Sequence, residues 1–218
     1  MFWDRVACVY DLFANVINRR ANKRLCAAVE GLLSPSDEVL ECACGTGLLS
    51  VGIAKKCARL VATDFSAKML KRAKRKCKKY GNASFAQADI LRLPYSDESF
   101  DAVVAANVIH LLDNPYAALR ELDRVCRAGG RIIIPTYINR TAKGKTNRLS
   151  GAIGKAGAGF KREFTPESYV RFLSDAGYPS VNCTLCEGRI PCAVAVIRKA
   201  ERTEETEQSN GGCHEIQN

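Results

Sequence analysis

Apolar positions along the chain follow two periods. Phe2, Val6, Val9, Tyr10, Phe13, Val16 and Ile17 recur at helical spacing, with Asp4, Arg5, Asn15 and Asn18 between them. A second helix is expected over 22–33, ended by Ser34-Pro35-Ser36-Asp37. Short apolar runs then alternate with helical stretches. Strands are expected at 39–43, 59–63, 84–88, 100–106 and 131–134, and helices at 48–56, 66–80 and 115–126. Ser66 is placed to cap the second of these sheet-covering helices, and Gly129-Gly130 to turn the chain into the fifth strand. Apolar strands alternating with helices imply a parallel sheet covered on both faces. The pattern breaks after Tyr137: 139–161 holds five glycines and six Lys or Arg. A helix then starts at Thr165-Pro166-Glu167 and ends near Gly177, and the runs 181–187 and 193–197 read as an antiparallel hairpin. The expected fold is α/β, a doubly wound, mostly parallel seven-stranded sheet closed by that C-terminal hairpin. Its expected divisions are cap helices over 1–33, a ligand-binding α/β domain over 34–199 with a lid at 139–164, and a disordered tail over 200–218.

Composition narrows the class. At 218 residues the chain suits one large domain with appendages. No apolar run reaches the ~18 residues of a membrane span, and Met1-Phe2-Trp3-Asp4-Arg5 shows no signal-peptide pattern, so a cytoplasmic protein is expected. The net charge is +10, but the stretch from Ala200 onward carries −4, which leaves +14 on residues 1–199. Such a body attracts anions: acidic small molecules, phospholipid headgroups or nucleic acid. A merely solubilising surface is the competing reading. The 11 cysteines are odd in number and have no secretion signal beside them, so a disulfide scaffold is not expected. Cys183-x-x-Cys186, with Cys192 nearby, has metal-like spacing, yet a strand turns positions three apart to opposite faces.

The candidate chemistry sits where the strands end. Gly45-Thr46-Gly47 follows the first strand and opens a helix, presenting backbone amides to a carboxylate or phosphate. Asp64 ends the second strand, where an acid can accept from both hydroxyls of a ribose. Asp89 ends the third and can accept from an exocyclic amine. Singly, each acid could be a helix cap or a solvated loop residue. Together they describe a nucleoside site at the carboxyl edge of an open sheet.

At these residues the chain resembles the class I S-adenosylmethionine-dependent methyltransferases, of Rossmann-like fold. It is most similar to their small-molecule group, which includes ubiquinone/menaquinone C-methyltransferases and phospholipid N-methyltransferases. The matching stretches are 39–47, 62–66 with Met69-Leu70, 88–90 with Leu93-Pro94-Tyr95, 99–103, and Arg124-Val125 before Gly129-Gly130; Tyr10-Asp11 resembles that group's N-terminal Tyr-Asp pair. The resemblance implies S-adenosylmethionine as cofactor and assigns roles. Glu41 and the amides around Cys44, Gly45 and Gly47 hold the methionine end. Asp64 binds the ribose hydroxyls, with Phe65 and Met69 against the adenosine. Asp89 contacts the adenine amine, with Ile90 beside the ring. Asn107 lines the pocket near the sulfonium, and Tyr10 closes it. Two positions depart from the pattern: Ala43 stands for the first motif glycine, a change expected to affect close packing, and Arg127-Ala128 stands for Lys-Pro.

A general base is needed only if the acceptor must lose a proton. His110, three residues past Asn107, is the candidate, with packing beside the adenosine pocket as its competing role. Basic residues in the 139–164 stretch favour an anionic small-molecule or lipid acceptor. Lys68, Lys71, Arg72, Lys74, Arg75, Lys76, Lys78 and Lys79 put eight charges into the twelve residues 68–79. They are expected to surround the helix as a solvated surface, with peripheral membrane contact as the alternative. Two other functions compete: an NAD(P)-dependent oxidoreductase on the same sheet, and a nucleic-acid-binding protein using the basic helix. Ser50 in place of the dinucleotide fingerprint's last small residue counts against the first. The lack of an aromatic stacking platform counts against the second, so no nucleic-acid partner is expected.

Overall fold

A computed structural model describes residues 18–139, 161–188 and 190–201. The strands are β1 (Glu38–Cys42), β2 (Arg59–Asp64), β3 (Ala83–Gln87), β4 (Phe100–Ala105), β5 (Cys126–Tyr137), β6 (Asn182–Cys186) and β7 (Cys192–Arg198). They form one seven-stranded sheet in the order β3-β2-β1-β4-β5-β7-β6. β3, β2, β1, β4 and β5 run parallel, and β7 lies antiparallel to both β5 and β6. The expected mostly parallel sheet with a terminal hairpin is therefore present.

The described helices are α1 (Arg19–Gly31), α2 (Ser50–Lys56), α3 (Ala67–Lys76), α4 (Pro115–Val125) and α5 (Pro166–Asp175). Strand alternation divides the core into two layers. Leu40, Val103, Ile132 and Ile134 face one side, where Leu119 and Leu122 of α4 and Tyr169 and Leu173 of α5 cover them. Val39, Leu60, Val104 and Ile133 face the other, covered by Leu25 and Val29 of α1, Ile53 of α2 and Leu70 and Ala73 of α3. α1 thus packs on the sheet as a core helix. Asn18 pins its start to the hairpin: its carboxamide exchanges two 3.1 Å bonds with the backbone of Ile190.

Three expectations need correction. Gly129-Gly130 is not a turn before the fifth strand. β5 already starts at Cys126, and the glycines carry a register shift against β4 between Phe100 and Ala102. A Cβ at Gly130 would lie 2.8 Å from Arg127 O and 2.9 Å from Asp101 O, so the pair marks a close backbone approach inside the sheet. The helix expected over 66–80 ends at Lys76. Its charges do not surround it, because Met69, Leu70, Ala73 and Cys77 form a buried stripe that leaves the basic residues on the other face.

Candidate active site

Ser66 caps α3 as expected: its side chain accepts from Met69 N at 3.2 Å. That cap fixes the β2–α3 turn beside Asp64. The Asp64 carboxylate is buried and spans two loops, with Oδ2 accepting Gly45 N–H and Oδ1 accepting Ser66 N–H, each at 2.8 Å. One carboxylate thereby ties the first strand-end turn to the second. Asp89 is held in its own loop, accepting Leu91 N–H at 2.9 Å through Oδ1.

A cleft of about 270 Å³ opens between these turns, lined by Ala43, Gly45, Asp64, Phe65, Met69, Ala88, Asp89, Ile90, Ala106, Asn107, Val108, Leu111 and Leu112. The arrangement fits a nucleoside. Two carboxylates can accept hydroxyl and amine protons, apolar walls from Met69 and Ile90 flank them, and the small Ala43, Ala88 and Ala106 leave room. Of the residues singled out in the sequence, Gly45, Asp64, Phe65, Met69, Asp89, Ile90 and Asn107 come together here. Val108, Leu111 and Leu112 escaped the sequence reading. They lie at or beside a three-residue 3-10 turn, Ile109–Leu111, too short to show a period.

Other candidates fall elsewhere. Tyr10 lies outside the described residues, as does 140–160, which contains most of the expected lid; the ends of that stretch are joined by Asn139 N–H on Phe164 O at 2.7 Å. Glu41 is buried behind the turn on the α2 side, accepting from Ser50 Oγ at 2.5 Å. Burial, reinforced by the Asp64 charge and opposed by the Ser50 hydrogen bond, pushes its carboxyl up to about 8. Cys44 is buried, its N–H on Thr63 O at 2.8 Å. Gly47 serves packing: a Cβ there would lie 2.9 Å from Ala73 Cα, so its bareness admits α3 to the turn.

His110 is only 3% exposed and is not among the residues that line the cleft. Burial lowers its imidazole to about 4, so it is neutral near pH 7 but a weak base. Its backbone has a clearer job, since His110 O accepts Lys161 N–H at 3.0 Å and Arg162 N–H at 3.2 Å where the chain returns to the site. Ala43 also differs from expectation. Its φ of 51° is left-handed, so the position wants glycine for backbone conformation rather than for packing alone. Cys183 is exposed and Cys186 buried, on opposite faces of β6 as the strand period requires.

Residues 40–134 match the methyltransferase domain family. A demethylmenaquinone methyltransferase of Mycobacterium sp. (strain JLS) is 34% identical over 143 residues, 64% of this chain and 59% of that protein. The chain therefore spans less than two thirds of the length of such relatives. A solved S-adenosylmethionine-dependent methyltransferase from Thermotoga maritima superposes with a TM-score of 0.69 at 22% identity, over 90% of this chain and 99% of that one. Magnesium protoporphyrin IX methyltransferase from Synechocystis, solved with bound S-adenosylhomocysteine, superposes with a TM-score of 0.63 at 20% identity, over 82% and 84%. Residues 40–134 thus match the methyltransferase domain family, and the sheet that carries them has the fold of solved S-adenosylmethionine-dependent methyltransferases.

Proposed function

We propose that the protein transfers a methyl group from S-adenosylmethionine to a ring carbon of a small quinone-type acceptor in its reduced, electron-rich dihydroxy form, with the displaced ring proton passing to water. The observation that carries the reading is the joining of Gly45, Asp64 and Asp89 around one cleft at the carboxyl edge of the sheet. The methyltransferase-domain match supports it over a nicotinamide enzyme, and the demethylmenaquinone methyltransferases among the relatives support the acceptor class.

When bound, S-adenosylmethionine supplies a methyl on a sulfonium, already activated for in-line displacement. The chain's own task is to bind, orient and exclude water. Asp64, locked by two backbone amides, takes the ribose hydroxyls without reorganising. Asp89 accepts from the adenine amine, and Phe65, Met69 and Ile90 close on the ring faces. Asn107, whose N–H is bonded to Pro135 O at 2.7 Å, lines the acceptor side of the cleft. With the leaving group charged from the start, holding both partners in line contributes up to about 7–11 kcal/mol in favourable cases. His110 has a structural part in this scheme, and no protein base is assigned.

Calorimetry with S-adenosylhomocysteine tests the cofactor half. Asp64→Asn should weaken binding by about 1.5–3 kcal/mol, the scale of hydrogen bonds to a charged group. Unchanged affinity would remove Asp64 from the site. Labelled-methyl transfer across a demethylated naphthoquinone kept reduced to its quinol by dithionite, an aminophospholipid, a thiol and small amines tests the acceptor half. Turnover confined to the amines or the phospholipid would overturn the quinone assignment.

A further inference from the structure

The exposed face of α3 has a composition that folding does not explain. No acidic residue occurs between Asp64 and Asp89, while eight Lys or Arg fall within 68–79. Lys68, Lys71, Lys74, Arg75, Lys78 and Lys79 are exposed, and among the described residues none of these six joins an ion pair. The helix dipole favours Lys74 and Arg75 in the last turn but opposes Lys68 in the first, where no acid is present. Like charges three and four apart, such as Lys71 with Lys74 and Arg75, also work against the helix. The array therefore costs the fold stability.

The neighbouring structure enlarges the array. Asn82 donates from Nδ2 to Ala54 O at 2.9 Å and to Cys57 O at 3.0 Å, which holds the end of α2 beside the loop that follows α3. The exposed Lys55 and Lys56 on the last turn of α2 thereby join the same side. At its other end α3 begins at the cleft mouth, where Phe65 is 51% and Leu91 38% exposed.

We propose that this face, from the α2 end along α3 to Phe65 and Leu91, docks the protein on an anionic lipid bilayer. Five of the six exposed charges on and just beyond α3 are lysines, compact point charges suited to diffuse headgroup attraction. Nucleic acid would call for bidentate arginines or aromatic platforms. Among the described residues the face carries only isolated rings, Tyr80 beyond one end of α3, with Lys79 Nζ 5.2 Å from its centroid, and Phe65 before the other, and not a stacking series. No helix among the described residues is long and apolar enough to cross a membrane, so the contact is peripheral. Docked this way, the bilayer meets the cleft mouth, where a lipid-borne acceptor would enter. That consequence rests on the proposed function; the docking does not.

Co-sedimentation of the full chain with vesicles tests it. Phosphatidylcholine vesicles containing about a third phosphatidylglycerol should bind the protein, and phosphatidylcholine alone should not. Binding should weaken steeply with salt. The triple variant Lys71→Glu, Lys74→Glu, Lys78→Glu should lose roughly a hundredfold in partitioning. It should keep the wild-type affinity for S-adenosylhomocysteine, since none of the three lines the cleft. Equal binding to both vesicle types, or partitioning untouched in the correctly folded variant, would overturn the proposal. So would a homopolymeric RNA that binds more tightly than vesicles and displaces the protein from them, which would make the face a nucleic-acid surface.

Discussion

Two residues at the end of β1 carry local costs that a single substitution can expose. Ala43 holds a left-handed backbone, which costs a non-glycine residue about 1–2 kcal/mol. Glycine would remove that cost and give back about 0.5–1 kcal/mol through the unfolded chain. Ala43→Gly should therefore leave the protein as stable or up to about 1.5 kcal/mol more stable in denaturant titration. A clear loss would mean that the Ala43 methyl packs usefully against the cleft. Glu41 carries a cost of a different kind. Its folded carboxyl titrates near 8 through burial, against an ordinary value of 4.5. Between those values the folded chain holds a proton that the unfolded chain has released. Stability must then fall as pH rises through that window, by at most about 1.4 kcal/mol per pH unit, and level off above it. Glu41→Gln keeps a partner for Ser50 and cannot ionise. In thermal melts the variant should match wild type near pH 5 and overtake it by pH 8. Parallel curves would show that water or a nearby cation solvates the ionised Glu41.

At the scale of elements, one arginine organises the loop between β3 and β4. Arg124 on α4 donates to Tyr95 O at 2.7 Å and to Leu93 O at 3.0 Å, and pairs with Glu121 and Asp97, each at 2.8 Å. Glu121 in turn accepts Leu93 N–H at 2.7 Å. The loop continues directly from Asp89 and Ile90, so the clamp also steadies one wall of the cleft. Arg124→Ala orphans two carbonyls and should cost about 1–3 kcal/mol, or roughly 2–12 °C in a chain of this size. Arg124→Lys, a point charge without the fork, should recover only part of that loss. If the alanine variant melts like wild type, water replaces the guanidinium and the loop holds by its apolar contacts. Sequence periodicity made most of these elements legible because β1, β2, β4 and β7 are short apolar runs bounded by a helix start or a polar turn. It failed at Gly129-Gly130, where a register shift inside a strand uses the residues of a turn. It also failed along α3, where three buried residues and the buried Cys77 that caps the helix, set in a field of lysines, did not read as a stripe. The site divided in the same way. Asp64 and Asp89 were legible as acids at strand ends. Nothing in the sequence signals burial at His110 and Glu41, which the fold sets behind the cleft wall. Val108, Leu111 and Leu112 left no periodic signal.

For the whole molecule, the two core layers share β1, β2, β4, β5 and β7 of one sheet, so unfolding should be a single cooperative transition that a ligand at the sheet's edge can shift. The cleft joins the ends of β1 and β2 with the turn after β4, and Asp64 ties two of those connections together. A ligand that replaces solvent among these turns binds only the folded state. At a free concentration of 100 times its dissociation constant it adds about 2.7 kcal/mol. With about 2–4 °C per kcal/mol for a chain of 150–250 residues, saturating S-adenosylhomocysteine should raise Tm by roughly 5–11 °C. NAD, at the concentration that saturates a dinucleotide enzyme, should leave Tm unmoved. Asp64→Asn should abolish most of the shift while preserving a single transition, because the amide still offers an acceptor to one of the two backbone donors. A shift with NAD and none with S-adenosylhomocysteine would return the cleft to a nicotinamide enzyme. A shift with S-adenosylhomocysteine that survives Asp64→Asn would keep the cofactor and move its ribose to another acceptor, with Asp89 the next to substitute.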